Sequence, residues 1–273
     1  MQKCAVAVGL LFLASAFFAQ SPARARPVVI ANLTLSSVTH LSDADRQTVI
    51  HEVQSRCCSS NETNEIKRRI ISAFQDFGYF NAKLDKFDVT RLQPSGSQET
   101  LSVTATVNEG QQYRLKEISF VGAKAFPTDQ LRGQFPTANN DIFNTEKIRT
   151  GLDDLRKLYA AQGYLNFTPV PNTEVDDATA LISLNIDLDE GNQFHFGRLV
   201  LDGEEPRPGT GAKLIEAWKP YEGKLYDPQV VDQYWQAIRT LLPPGATQEN
   251  TVAMRQDVES ATVIPRINFP ESK

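Results

Sequence analysis

Residues 110–122 read GQQYRLKEISFVG, and residues 191–203 read GNQFHFGRLVLDG. Gly, Gln, an aromatic, a bulky apolar residue, two further apolar positions and a closing Gly recur 81 residues apart, seven matches in thirteen. A repeat at that distance sets the domain spacing, and a repeat missed misplaces the whole fold.

The stretch between the two echoes has its own order. Tyr113 to Val121 reads as a strand, with Ile118 and Phe120 alternating with polar neighbours, and Gly122 ends it. Thr128 fits the N-cap of a short helix holding Leu131, and Asn144 that of a longer one. In the second helix Ile148, Leu152, Leu155 and Tyr159 form one apolar stripe, and Gly163 supplies the left-handed stop. Two strands follow, at about Phe167–Val175 and Ala178–Leu188, joined by a turn at Asp176-Asp177. Strand, helix, helix, strand, strand predicts an α+β unit: a three-stranded sheet, apolar on one face, covered by two helices.

The same order can be read on either side. Upstream, a strand at Val28–Leu35 precedes a helix opened by Ser42 and Asp43 that runs through Val49, Val53 and Cys57. A second helix carries Ile66, Ile70, Ala73, Phe74 and Phe77, and Gly78-Tyr79 repeats Gly163-Tyr164. Leu101, Val103, Ala105 and Val107 alternate before Glu109-Gly110, the counterpart of Glu190-Gly191. Downstream, Phe194–Leu201 opens a third unit, with a first helix holding Leu214, Ile215 and Trp218. Asp227 and Pro228 start its second helix through Val231, Trp235, Ile238 and Leu242, but Pro243-Pro244-Gly245 replaces the Gly-Tyr stop. A closing hairpin spans about Thr251–Glu259 and Ala261–Phe269, and Pro265 inside its last strand cannot donate a hydrogen bond. The expected division is a leader at 1–25 and units at 26–109, 110–190 and 191–270, the last diverged.

Composition agrees with packed units. Of 273 residues, 41% are apolar and 15 are Phe, which argues for a buried core rather than disorder. Lys3, an apolar run from Ala5 to Ala19, and Ala23-Arg24-Ala25 predict a signal peptide cleaved after Ala25. That run is shorter than the ~20 residues a membrane span needs. Removing Lys3 and Arg24 with the leader takes the formal charge from −5 to −7, an acidic balance that argues against nucleic acid. The remaining cysteines, Cys57 and Cys58, are adjacent and read as two small residues at a helix end rather than a redox pair.

These features together resemble the polypeptide-transport-associated (POTRA) domain: the strand-helix-helix-strand-strand order, the Glu-Gly boundaries, and the helix ending Tyr159-Ala160-Ala161-Gln162-Gly163-Tyr164. The resemblance covers residues 110–190 best, 27–109 well and 191–270 in part. It implies the periplasmic arm of BamA-like outer-membrane assembly proteins, here without the β-barrel such proteins carry, since the chain stops at Lys273. It also implies a protein-binding scaffold in the periplasm or peripheral to the outer membrane. Partners would be outer-membrane or periplasmic proteins and extended polypeptide segments, with no nucleic acid and no cofactor.

An open sheet edge presents unpaired N–H and C=O groups that can recruit another backbone. The candidate edges are the penultimate strands, carrying Leu84, Phe87 and Val89 in the first unit and Phe167, Val170 and Val175 in the second. Asp85, Lys86 and Asp88 fit equally well as gatekeepers against self-pairing. The alternative within the fold is a structural adaptor of the FtsQ/DivIB kind, held by an uncleaved N-terminal anchor. An enzyme is not expected. His40, His51 and His195 stand in no metal-ligand spacing, Asp153-Asp154 diverge on a helix, and the scattered glycines form no phosphate cradle. Trp218, Tyr221, Tyr226, Tyr234 and Trp235 read mainly as core, or as a partner surface if the third unit frays.

Overall fold

The computed structural model describes residues 28–55, 63–92 and 99–269. The expected leader at 1–25 and the Cys57-Cys58 pair lie outside the described residues. Three separate sheets are present, and each carries its own buried cluster.

The first sheet comes from β1 (Val28–Ser36), β2 (Lys83–Arg91) and β3 (Glu99–Asn108), with α1 (Asp43–Ser55) and α2 (Thr63–Asp76) between β1 and β2. β3 is central, parallel to β1 and antiparallel to β2. Its alternating Leu101, Val103, Ala105 and Val107 are fully buried, as a sheet with one covered face requires. Ile66, Ile70, Ala73 and Phe74 line the face of α2 that meets them.

The second sheet repeats this with β4 (Arg114–Val121), β5 (Thr168–Asp176) and β6 (Leu181–Asp189), in the order β4-β6-β5, with α3 (Thr128–Arg132) and α4 (Thr145–Ala160). Asn144 caps α4 by accepting from the Lys147 N–H at 2.8 Å. Thr128 does not cap α3; it is the first helical residue, and Pro127 precedes it with no side-chain cap. The buried stripe of α4 is Ile148, Gly151, Leu155 and Tyr159, with Leu152 at its margin. Gly151 replaces an apolar side chain because the Phe135 ring lies where its Cβ would be, 2.2 Å from the nearest ring carbon. The β5–β6 turn is longer than expected. Asp176 ends β5 and its carboxylate accepts from the Ala178 and Thr179 N–H groups, while Ala180 takes a left-handed φ of 54°.

The third sheet holds β7 (His195–Phe196), β8 (Val200–Asp202), β9 (Val252–Asp257) and β10 (Thr262–Asn268), with α5 (Thr210–Trp218), α6 (Pro228–Ile238) and the single turn α7 (Gln248–Thr251). Its opening strand is split in two. β10 pairs with β7 through Val263 and resumes with β8 at Arg266, so Pro265 sits opposite the break while β10 still pairs with β9. A proline has no N–H to give the ladder there. The freed Gly197 carbonyl instead accepts from the Trp218 indole at 2.9 Å. Trp218 and Tyr234 are buried, and Tyr221, Tyr226 and Trp235 pack on the same cluster, so the aromatics form core rather than an exposed patch. Tyr234, not Trp235, fills the centre of the α6 stripe.

The joints are built alike. Gly78 and Gly163 both end their helices with positive φ, at 86° and 77°, which favours glycine. The following Tyr79 and Tyr164 return to the last turn, and the next residues, Phe80 and Leu165, enter the core of the next unit. Each helix end then receives two hydrogen bonds from the repeated echo. Tyr113 N–H and Phe194 N–H donate to the Gly78 and Gly163 carbonyls at 2.9 and 2.8 Å. Gln112 and Gln193 side chains donate to the Phe77 and Gln162 carbonyls at 2.8 and 3.0 Å.

The boundary glutamates close their own units. Glu109 is only 3% exposed and accepts from the backbone N–H groups of Thr39, His40 and Leu41 at 2.8, 2.9 and 3.2 Å. Burial pushes its pKa up, but these donors outweigh that and hold it below the ordinary carboxylate value. Glu190 likewise accepts from Lys124 and Ala125 N–H and from the Tyr159 hydroxyl, with the same net direction.

Candidate partner-binding edges and groove

Each sheet has two borders, and they are treated differently. On the opening-strand side the linker between the two helices, or a side chain, already occupies the edge. Phe143 N–H donates to Tyr113 O at 2.9 Å, Leu115 N–H to Asp141 O at 2.9 Å, and Asn140 N–H to Leu115 O at 2.6 Å, sealing the start of β4. In the third unit Phe196 N–H donates to Lys224 O at 2.8 Å and Tyr226 N–H to Phe194 O at 2.9 Å. In the first, the Gln54 amide donates to Ile30 O and Ala31 O at 3.2 and 3.1 Å. Sequence reasoning missed all three seals: two lie in linkers, which carry no periodicity to mark them, and the third is a single polar side chain of α1.

On the other side, no strand among the described residues pairs with the outer edge of β2, β5 or β9. The three are unequal. β5 contains Pro169 and Pro171, paired in register with Leu188 and Ile186 without interruption. Two prolines two residues apart keep such pairing only with both nitrogens turned to the free side, so that edge lacks two donors. β9 has no proline but only six residues. β2 has nine residues and no proline, with one bulge between Leu84 and Lys86.

Of the six residues singled out from the sequence, Leu84, Phe87 and Val89 are half-buried on β2 and pack against the first core. Val170 and Val175 are exposed on β5, at 48% and 38%. Phe167 lies just before β5, buried and stacked on Tyr159 with ring centres 3.7 Å apart, and so faces the core. The six therefore fall into two edges and one core position.

Beside β2 runs a groove of about 520 Å³ between that strand and α2. Its floor is Ile71, Ala82 and Leu84 with Gln75 beside them, and its rim is Lys67, Arg68 and Lys83. Lys67 Nζ also lies 5.1 Å from the centre of the Phe87 ring. The spacing of polar residues on α2 could have signalled this rim, since Lys67 and Ile71 stand one turn apart on its outer flank.

Residues with catalytic potential are dispersed. His40 Nδ1 is 3.0 Å from Glu109, His51 is exposed on α1, and His195 is half-buried on β7. Asp153 and Asp154 pair with Arg156 and Lys157 at 2.7 and 2.8 Å. No group of three or more metal-ligating residues is gathered among the described residues, and none of their helices is long and apolar enough to cross a membrane.

Residues 113–191 match the POTRA family model, described as a surface antigen variable number repeat. Two relatives are similar in sequence: outer membrane protein assembly factor BamA of Buchnera aphidicola subsp. Acyrthosiphon pisum (strain APS), 21% identical, and a putative outer membrane protein assembly factor of Treponema pallidum (strain Nichols), 25% identical. The matches cover 77% and 50% of this chain but only 34% and 16% of those proteins. Among solved structures, POTRA3-5 of Haemophilus influenzae BamA superposes with a TM-score of 0.55 at 20% identity, covering 90% of this chain and 96% of that one. At that identity the likeness shows the fold. The chain is a tandem of units with the POTRA fold, and its residues 113–191 match the POTRA family model.

Proposed function

We propose that this chain is a periplasmic, outer-membrane-associated arm that holds partner or client polypeptides of outer-membrane protein assembly as an added strand, with β2 as the principal edge. The observation that carries this is the asymmetry of the borders. Opening-strand edges are occupied from within the chain, whereas the opposite edges are free of strand pairing among the described residues. A free edge binds through main-chain hydrogen bonds, so it accepts many sequences, and neighbouring pockets then choose among side chains. β2 is the longest such edge without proline. The likeness to assembly factors supports the same reading of the whole chain. Binding without turnover is the chemistry this implies.

Photo-crosslinking amino acids placed one at a time at Lys86, Val170 and Arg114 in intact cells test it. Outer-membrane proteins or their assembly partners should be captured strongly from position 86, weakly from 170 and not from 114 on the sealed edge. Capture from 114 with none from 86 would overturn the assignment.

A further inference from the structure

We infer that the groove beside β2 selects acidic segments: an extended strand with an aliphatic or aromatic side chain flanked by Asp or Glu. This rests on the edge-pairing reading and adds the chemistry of the occupant. The floor of Ile71, Ala82 and Leu84 is apolar, and the cations stand at both ends of it. Because α2 leads through the Gly78 stop into β2, the helix end lies beside the strand start. Lys83 therefore marks one end of the groove, and Lys67 and Arg68, near Phe87, mark the other. None of the three cations has an ion-pair partner among the described residues. Asp88 alternates with Phe87 and Val89 and so takes the other face of β2, and Asp85 sits in the bulge; neither lines the groove.

The second unit carries different chemistry at the same place. Gly78 and Gly163 align the helices 85 residues apart, which sets Asp153 at the position of Arg68, Arg156 at that of Ile71 and Pro169 at that of Leu84. Lys67, Arg68 and Lys83 correspond to Leu152, Asp153 and Thr168, none of them cationic, and Arg156 pairs with Asp153 at 2.7 Å. The first unit has an apolar Ile71 where Arg156 stands, and its three cations have no ion-pair partner among the described residues. Unpaired charge around an apolar strip gives complementarity to an acidic, apolar strand, and it steers encounter as well as fixing register.

The test uses fluorescence anisotropy of the full chain with three labelled heptapeptides alternating Val with Glu, Gln or Lys. The Glu peptide should bind roughly tenfold more tightly than the Gln peptide at low salt, the gain expected of two or three exposed ion pairs. Half-molar salt and the K67Q/R68Q/K83Q variant should each remove that difference, because such pairs are screened. The V89P variant should abolish binding of all three: the Leu92 N–H donates to Thr100 O, so along β2 the N–H groups of Lys86, Asp88 and Thr90 face β3 and that of Val89 faces the free edge. Equal binding of the Glu and Gln peptides, with loss in V89P and an unchanged circular dichroism spectrum, would overturn the acidic preference and leave edge pairing standing. Glu selectivity that survives V89P would support the groove's preference and overturn the pairing mode. Binding of none of the peptides would overturn both.

Discussion

Asp76, at the end of α2, caps a helix that belongs to the next unit: its carboxylate accepts from the Glu146 backbone N–H at 2.9 Å and from the Thr145 hydroxyl. The Asn144 side chain in turn donates to the Asp76 carbonyl at 2.6 Å. The first turn of α4 is thus shared between Asn144 of its own unit and Asp76 of the one before. The aligned position at the second joint is Ala161, which has no carboxylate to offer. The first joint is therefore held by the Gln112 echo, by Asp76 and by the Asn81 amide, which donates to the Tyr113 hydroxyl at 2.9 Å, and the second by the Gln193 echo.

Removing that cap should loosen the first joint. D76A is expected to cost about 1 kcal/mol, the usual loss at a helix N-terminus, because Asn144 still satisfies one donor. Calorimetry should show a lowered Tm, and limited proteolysis should show faster cutting near residues 108–112. An unchanged Tm together with unchanged cutting would show that the joint is held without Asp76.

G151A sets two opposed effects against each other. Alanine gains up to about 1 kcal/mol of helix propensity over glycine, but the new methyl would lie 2.2 Å from a carbon of the buried Phe135 ring. Overpacking of a core costs roughly 1–3 kcal/mol, so destabilisation should win. The double variant G151A/F135L should recover part of the loss in denaturant titration, since it clears the space.

Glu109 should make the first unit acid-sensitive. Its carboxyl is held below its ordinary value in the folded chain, while the unfolded group titrates near ~4.3. The stabilisation is complete at neutral pH, declines as pH falls below about 5, and is lost once pH passes beneath the folded pKa. E109Q should lower Tm at pH 7 and flatten its dependence on pH in that acid window. E190Q should act likewise on the second unit, and the two effects should add, because the sites share no partner. A Tm profile for E109Q parallel to that of the wild type would refute the assignment.

The prolines of β5 should act as an edge block. P171T restores a donor on the free side without touching the core, so sedimentation velocity should reveal increased self-association while circular dichroism stays unchanged. A monomer indistinguishable from wild type would mean that the edge is blunted by its charges instead.

Much of this could be read before any coordinates. The alternation in β3 and β6, the α2 stripe and the Gly78 and Gly163 stops all appear where period and chemistry place them, because each depends on residues close in sequence. The resemblance to POTRA domains implied the penultimate strands as edges, and β2 and β5 do lie at sheet borders. What escaped was placement across long separations. Phe167 alternates like an edge residue yet stacks on Tyr159. Leu152 fits the stripe of α4, but the centre of that stripe is a glycine chosen by Phe135.

By itself the sequence determined the number of repeats, the kind of unit and the sign of its charge, because hydrophobic period, helix stops and composition act locally. Only the tertiary structure decided which borders are occupied, which unit keeps an open cationic groove, and that Asp76 serves a helix it does not belong to. Those outcomes depend on side chains and carbonyls brought together from distant parts of the chain, and hydrogen bonds and ion pairs form by distance in space, for which spacing along the chain gives no measure.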